Sequence, residues 1–195
     1  MKNILVTICA RGGSKGIPGK NIKEVGGKPL LYYTAKIARQ FADKHGADLI
    51  VSSDSEAILD VARNCGLPTE YKRPAYLADD ICGKPDAIRD AMLWGEAQRG
   101  KQYDMVVDLD VTSPIRTMHD IDQSLEMIEN CPEALTIFSV SPCGRNPYFS
   151  MVQKKENGFY GTVCDGKFTS RQTSPTVYDM NGSIYVYRRE ALLPE

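Results

Sequence analysis

Residues 10 to 21 read A-R-G-G-S-K-G-I-P-G-K-N. Gly12, Gly13, Gly16 and Gly19 let the backbone turn N–H groups toward an anion, and Arg11, Lys15 and Lys20 add positive charge. That combination suits a polyphosphate. It is not a Walker loop, because from Gly13 five residues rather than four precede Gly19-Lys20, and Asn21 stands where a magnesium-binding Ser or Thr belongs. Without a G-x-G-x-x-G, a dinucleotide-dependent oxidoreductase loses its main support. On these residues alone a flexible glycine turn dressed with solvated lysines stays open.

A second constellation is D-L-D, with Asp108 and Asp110 at a spacing that puts both carboxylates on one face of a strand. Hard oxygen ligands suit Mg²⁺. Equally open is a plain structural reading, in which Asp110 caps the following turn and Asp108 pairs with a lysine. With His45 and His119 the only histidines, chemistry built on positioning and charge is favoured over a Ser-His-Asp or Cys-His set.

These loops need elements to hold them. Residues 4 to 9 form an apolar run ending in the glycine loop, the pattern of a parallel strand buried on both faces. Pro29 marks a helix start, and Leu30, Tyr33, Thr34, Ile37, Ala38 and Phe41 recur at helical spacing until Gly46. The alternation continues with a strand at 49 to 52, a capping box at Ser53 and Glu56 opening a helix to Gly66, and a short strand at 69 to 71. A loop at 73 to 85 leads to a helix through Ile88, Ala91 and Met92. A buried strand at 105 to 109, a loop at 110 to 116, a helix through Ile121 and Ile128 and a strand at 134 to 140 follow.

The expected fold class is therefore α/β, a three-layer α/β/α arrangement with a mostly parallel, Rossmann-like sheet. Ligands in such sheets bind beyond the carboxyl ends of the strands. After residue 145 the pattern becomes a two-turn β-meander, signalled by Asn157-Gly158 and Asp165-Gly166, and a last strand runs through Ile184, Tyr185 and Val186.

Composition bounds the possibilities further. With 195 residues, 24 Lys+Arg against 25 Asp+Glu and a net charge of -1, the chain is expected to be one domain, 1–195, that binds no nucleic acid. The first 28 residues nevertheless carry six basic side chains against Glu24 alone, which favours a small anionic ligand. No apolar run reaches the ~20 residues of a membrane span, so no membrane partner is expected. Six cysteines with no C-x-x-C read as free thiols in a reducing, cytoplasmic compartment.

The loop at 10 to 21, followed by G-G-K-P-L at 26 to 30, resembles the signature of the acylneuraminate cytidylyltransferases, which join CMP to sialic acid and related acidic sugars. R-P-A-Y-L-A-D at 73 to 79, T-S-P-I-R at 112 to 116, S-R-Q-T-S-P at 170 to 175 and N-G-S-I-Y at 181 to 185 extend the resemblance over nearly the whole chain. It implies a nucleotidyltransferase that uses CTP and Mg²⁺ on an acidic nine-carbon sugar, with release of pyrophosphate.

The resemblance also implies roles. Arg11, Gly12, Gly13, Ser14, Lys20, Asn21, Arg73, Thr112 and Ser113 would bind the nucleotide, and Lys20 and Arg11 would be catalytic. Arg171 would clasp the sugar carboxylate, and Tyr185 and Phe149 would pack on the sugar; the catalytic, metal-holding role read for Asp110 rests instead on the D-L-D spacing, at a position that departs from the family pattern. A homodimer is implied, with 147–168 as the dimerisation arm. Two departures stand out: Asp110-Val111 replaces the family's usual Gln-Pro, and its downstream aspartate pair does not occur before Glu195. Alternatives that follow are a nucleotide-binding module impaired in turnover, a cytidylyltransferase for another sugar acid or another nucleotide, and a P-loop-like kinase.

Overall fold

The apolar run at the amino terminus is strand β1 (Ile4–Cys9) in a computed structural model that describes residues 2–193. Met1, Pro194 and Glu195, and with them both ends of the expected 1–195 domain, lie outside the described residues. The chain divides into two units, Met1–Ser139 with Gly182–Glu195, and Val140–Asn181.

In the first unit β1 leads through the glycine loop to a small hairpin, β2 (Glu24–Val25) and β3 (Lys28–Pro29), and into helix α1 (Leu30–His45). Strand β4 (Asp48–Ser52), helix α2 (Glu56–Asn64), helix α3 (Lys84–Arg99), strand β5 (Met105–Leu109) and helix α4 (Met118–Glu129) follow in order. The last strands begin in the second unit or end there: β6 (Thr136–Pro142) leaves the sheet, and β9 (Tyr178–Arg188) returns to it. Between them the second unit holds β7 (Val152–Lys154) and β8 (Tyr160–Thr162).

The five-stranded sheet has the order β4-β1-β5-β9-β6. Strand β1 runs parallel to β4 and β5, as helix crossovers require, and β9 runs antiparallel to β5, so the sheet is mixed. Alternation along the strands gives each face its own core. Ile4, Val6, Ile8, Met105, Val107 and Leu109 pack on the side that carries α1, α2 and α4. Leu5, Ile50, Val106 and Tyr187 pack with Ile88, Ala91 and Met92 of α3. Asp108 shares the second face, because it pairs with Thr7 and Tyr185, and it is therefore directed toward α3.

Three local expectations need correction. Residues 69 to 71 form no strand; Tyr71 is buried, but its hydroxyl donates to Asp90 of α3 and no ladder forms at the β4 edge. The N-cap of helix α2 is Ser55, which makes no side-chain cap bond, so Ser53 and Glu56 make no capping box. The box present opens α4, where Thr117 Oγ1 accepts from Asp120 N and Asp120 Oδ2 accepts from Thr117 N.

In the second unit, β7 and β8 form an antiparallel hairpin around Asn157-Gly158, while no strand follows Asp165-Gly166, so the two-turn meander is a single hairpin. Buried Asn146 organises this unit, since Nδ2 donates to Pro175 O at 2.8 Å and Oδ1 accepts from Tyr148 N at 2.9 Å. Its surface is rich in apolar groups, including Phe149, Met151, Phe159 and Tyr160.

Candidate functional site

A cleft of about 310 Å³ opens at the carboxyl ends of β1 and β5, where an α/β sheet presents its loops. Arg11, Ser14, Lys20, Asn21, Arg73, Asp110 and Thr112 line it, so the structure brings seven of the sequence-selected residues together. Gly12, Gly13 and Ser113 belong to the same loops without lining it.

The glycine loop is shaped by contacts that the residue types alone do not reveal. Gly12 N donates to Asp54 Oδ1 at 2.8 Å, and a Cβ at Gly12 would stand 2.9 Å from Ser55 Cβ, so any side chain there would force the β4–α2 loop aside. This N–H is therefore engaged with the β4–α2 loop. Asn21, nearly fully buried, donates from Nδ2 to Arg11 O at 2.9 Å and holds the loop closed from behind. Gly19 has φ 64°, the left-handed turn that starts the short helical segment Lys20–Ile22 and sets the Lys20 side chain at the cleft. Among the described residues no carboxylate pairs with Lys20.

Arg11 and Lys15 already hold an acid. Arg11 Nη1 donates to Asp79 O at 2.7 Å, Arg11 Nη2 lies 3.1 Å from Asp80 Oδ1, and Lys15 pairs with Asp80 Oδ2. Arg73 is 6% exposed and is fixed by bonds from Nε to Ser52 Oγ at 2.9 Å and from Nη2 to Ser52 O at 2.8 Å.

Sequence reasoning missed Lys84. Its ammonium stands 2.6 Å from Asp108 Oδ2 and 3.0 Å from Asp110 Oδ2, and lies 5.1 Å from the centre of the Tyr185 ring. Asp108 has no exposed surface, its Oδ1 accepts from Thr7 Oγ1 at 2.9 Å, and its Oδ2 has the ion pair but no well-directed hydrogen bond. Burial alone would lower the Lys84 pKa; Asp108 and Asp110 outweigh it and hold the amine well above the ordinary lysine range. Lys84 is the first residue of α3, where the helix dipole disfavours a cation by about 0.3–1 kcal/mol, so the carboxylates must account for its placement. The available signal was Gly-Lys-Pro at the end of the 73 to 85 loop.

Asp110 is a turn residue as well. Its Oδ1 accepts from both Thr112 N and Thr112 Oγ1 at 2.7 Å, so the plain reading of D-L-D describes the observed bonds. Burial works to raise its pKa, but Lys84 and the Thr112 bonds prevail and keep it below the usual carboxylate range. Arg116 staples the same corner: its guanidinium donates to Ser183 O at 2.7 Å, to Thr34 Oγ1 at 3.1 Å and to Asp110 O. Cys9 also lines the cleft; burial, with help from Asp108, pushes its thiol up to about 12, so it is protonated and no nucleophile near neutral pH.

Whether these donors suit Mg²⁺ follows from their chemistry. No cluster of three or more His, Cys, Asp or Glu able to hold a metal occurs among the described residues. A carboxylate offers about four lone-pair positions. Asp110 has three polar contacts and faces the cleft, so it fits an ion that arrives with oxygen ligands of its own, as Mg²⁺ on a triphosphate does.

The residues assigned to the sugar are distributed differently. Tyr185 lies on β9, stacked on Tyr187 and facing Lys84. Arg171 and Phe149 belong to the second unit. There Arg171 Nη2 donates to Gly144 O at 2.8 Å and lines a hollow of about 240 Å³ with Asn146 and Tyr178; Phe149 is exposed.

Known proteins resemble this chain over nearly its whole length. The cytidylyltransferase family matches residues 5–192. The chain is 38% identical to the post-translational flagellin modification protein B of Campylobacter coli, over 99% of this chain and 80% of that one. It is 37% identical to the CMP-N,N'-diacetyllegionaminic acid synthase of Campylobacter jejuni, again over 99% of this chain and 80% of the relative. A solved CMP:2-keto-3-deoxy-manno-octonic acid synthetase complexed with CTP shares the fold, with a TM-score of 0.66 and 18% identity over 99% of this chain and 79% of that one.

Proposed function

The chain belongs to the cytidylyltransferase family, and from that premise we propose that it transfers CMP from CTP to the anomeric hydroxyl of an acidic nine-carbon sugar, releasing pyrophosphate. The observation that carries this reading is the cleft at the ends of β1 and β5, lined by Arg11, Lys20 and Arg73 in a chain akin to a CMP-legionaminic acid synthase. The leading substrate to test is therefore a legionaminic-type acid.

Attack on the α-phosphate crowds negative charge onto the phosphoryl oxygens and the leaving pyrophosphate. Fixed cations that need no reorganisation stabilise that charge most. Lys20 is free to meet the triphosphate. Arg11 does so by exchanging Asp80 for phosphate oxygens, and Lys15 follows. Ser14 and Thr112 offer hydroxyls at the cleft wall, and Asn21 keeps the loop in shape. Mg²⁺ bound with the triphosphate supplies further charge neutralisation. Asp110 would be its contact on this chain.

Arg171 is the residue proposed to receive the sugar carboxylate, since a planar fork of donors fits it with two parallel bonds. Phe149 and Tyr185 are proposed to pack on the sugar. The exposed apolar groups of the second unit support a homodimer. Light scattering that finds a fully active monomer at micromolar concentration would remove that assignment. A CTP-dependent reaction on a soluble sugar fits the cytoplasm; among the described residues no helix is long and apolar enough to cross a membrane. A pyrophosphate-release assay crossing four nucleoside triphosphates with a panel of nonulosonic acids tests the reading. Release is expected with CTP and an acidic sugar together, and nucleotide binding without release would leave only a binding module.

A further inference from the structure

We propose that Lys84 is the built-in counter-cation of Asp108 and Asp110, and that it keeps a divalent ion out of the cleft until the nucleotide brings one. The proposal rests on reading Asp110 as the metal contact. Two carboxylates two residues apart, Asp108 on β5 and Asp110 just past its end, one of them fully buried, would by themselves attract a divalent cation. Lys84 stands close to both, at 2.6 Å and 3.0 Å, and so holds the place such an ion would take.

The neighbouring cations do not substitute for it. Arg73 is bound to Ser52, and Arg116 to two backbone carbonyls and Thr34, so neither donates to a carboxylate of the pair. Asp108 Oδ2 lacks a well-directed hydrogen bond and depends on the ammonium for charge compensation. In a site of reduced dielectric, like-charge repulsion from Lys84 opposes a free divalent ion. A triphosphate adds oxygen ligands and negative charge, which reverses that balance. Metal entry thus becomes conditional on nucleotide.

Mn²⁺ titration followed by electron paramagnetic resonance tests this without turnover. Wild type without CTP is expected to bind Mn²⁺ weakly, while Lys84→Gln gains one site at least about tenfold tighter, which Lys84→Gln/Asp110→Asn loses again. A Lys84→Gln protein that binds Mn²⁺ no better than wild type, or a wild type that binds it tightly without CTP, overturns the proposal. A second arm repeats the titration with CTP on wild type and Asp110→Asn. If CTP-dependent Mn²⁺ binding survives in Asp110→Asn, the metal role of Asp110 fails while the Lys84 result is read on its own. Lys84→Met serves as a second variant. Failure of both variants to fold with Mn²⁺ present overturns the proposal, and folding restored by Mn²⁺ supports it.

Discussion

The Lys84 ammonium lies 2.6 Å from Asp108 Oδ2, a carboxylate with no exposed surface on β5. Buried pairs of this kind stabilise little when intact and cost much when one partner goes. Asp108→Asn leaves Lys84 with Asp110 alone and is expected to destabilise the fold by about 3 kcal/mol. Urea unfolding checks this through a lower midpoint at unchanged slope. An unchanged midpoint would mean that the pair contributes nothing to stability.

Asp110→Asn separates the two roles of that side chain. Asparagine still accepts the Thr112 N–H bond, so the turn should persist, but it offsets no metal charge. Most activity should be lost, and the remainder should need more Mg²⁺. Normal magnesium dependence would leave Asp110 as a turn residue only.

Lys20→Ala removes a charge that the fold does not use. A loss of roughly 10²-fold or more in kcat/KM with an unchanged Tm is expected, because the charge acts in the transition state. Near-normal turnover would take Lys20 out of the mechanism.

A stability change with pH should come from Glu96, which ties α3 to the end of β9 through Arg189 at 2.8 Å and 3.0 Å. Chiefly through the Arg189 bonds, and against burial, its carboxyl is held below the ordinary 4.5. A depressed carboxyl pKa stabilises the folded state above the unfolded value and loses that contribution as pH falls through the folded one. Glu96→Gln should therefore cost about 1–3 kcal/mol at pH 7, and the gap to wild type should shrink progressively as pH falls below the ordinary 4.5. Parallel stability curves from pH 7 to 3 would refute the assignment.

The sequence made the frame legible wherever burial writes a pattern. The apolar runs of β1, β4 and β5 and the glycine loop led to the cleft at their carboxyl ends. Period two also put Asp108 and Asp110 on one face, but not the side chain opposite them. Lys84 sits 24 residues before Asp108 in the chain, and only the packing of α3 on that face brings the two together. Arg116 was visible in T-S-P-I-R, yet its partners come from α1, β9 and the turn at Asp110, which no local pattern announces. Strand direction was equally hidden, because alternation is the same for a parallel strand and for β9.

Phosphorus NMR of the enzyme with CTP, Mg²⁺ and N,N'-diacetyllegionaminic acid tests cytidylyl transfer most directly. The account predicts that the three CTP resonances give way to one phosphodiester resonance and pyrophosphate in equal molar amounts, only when the sugar is present. Release of orthophosphate from the γ-position, or CTP unchanged across the panel of acidic sugars, would contradict it.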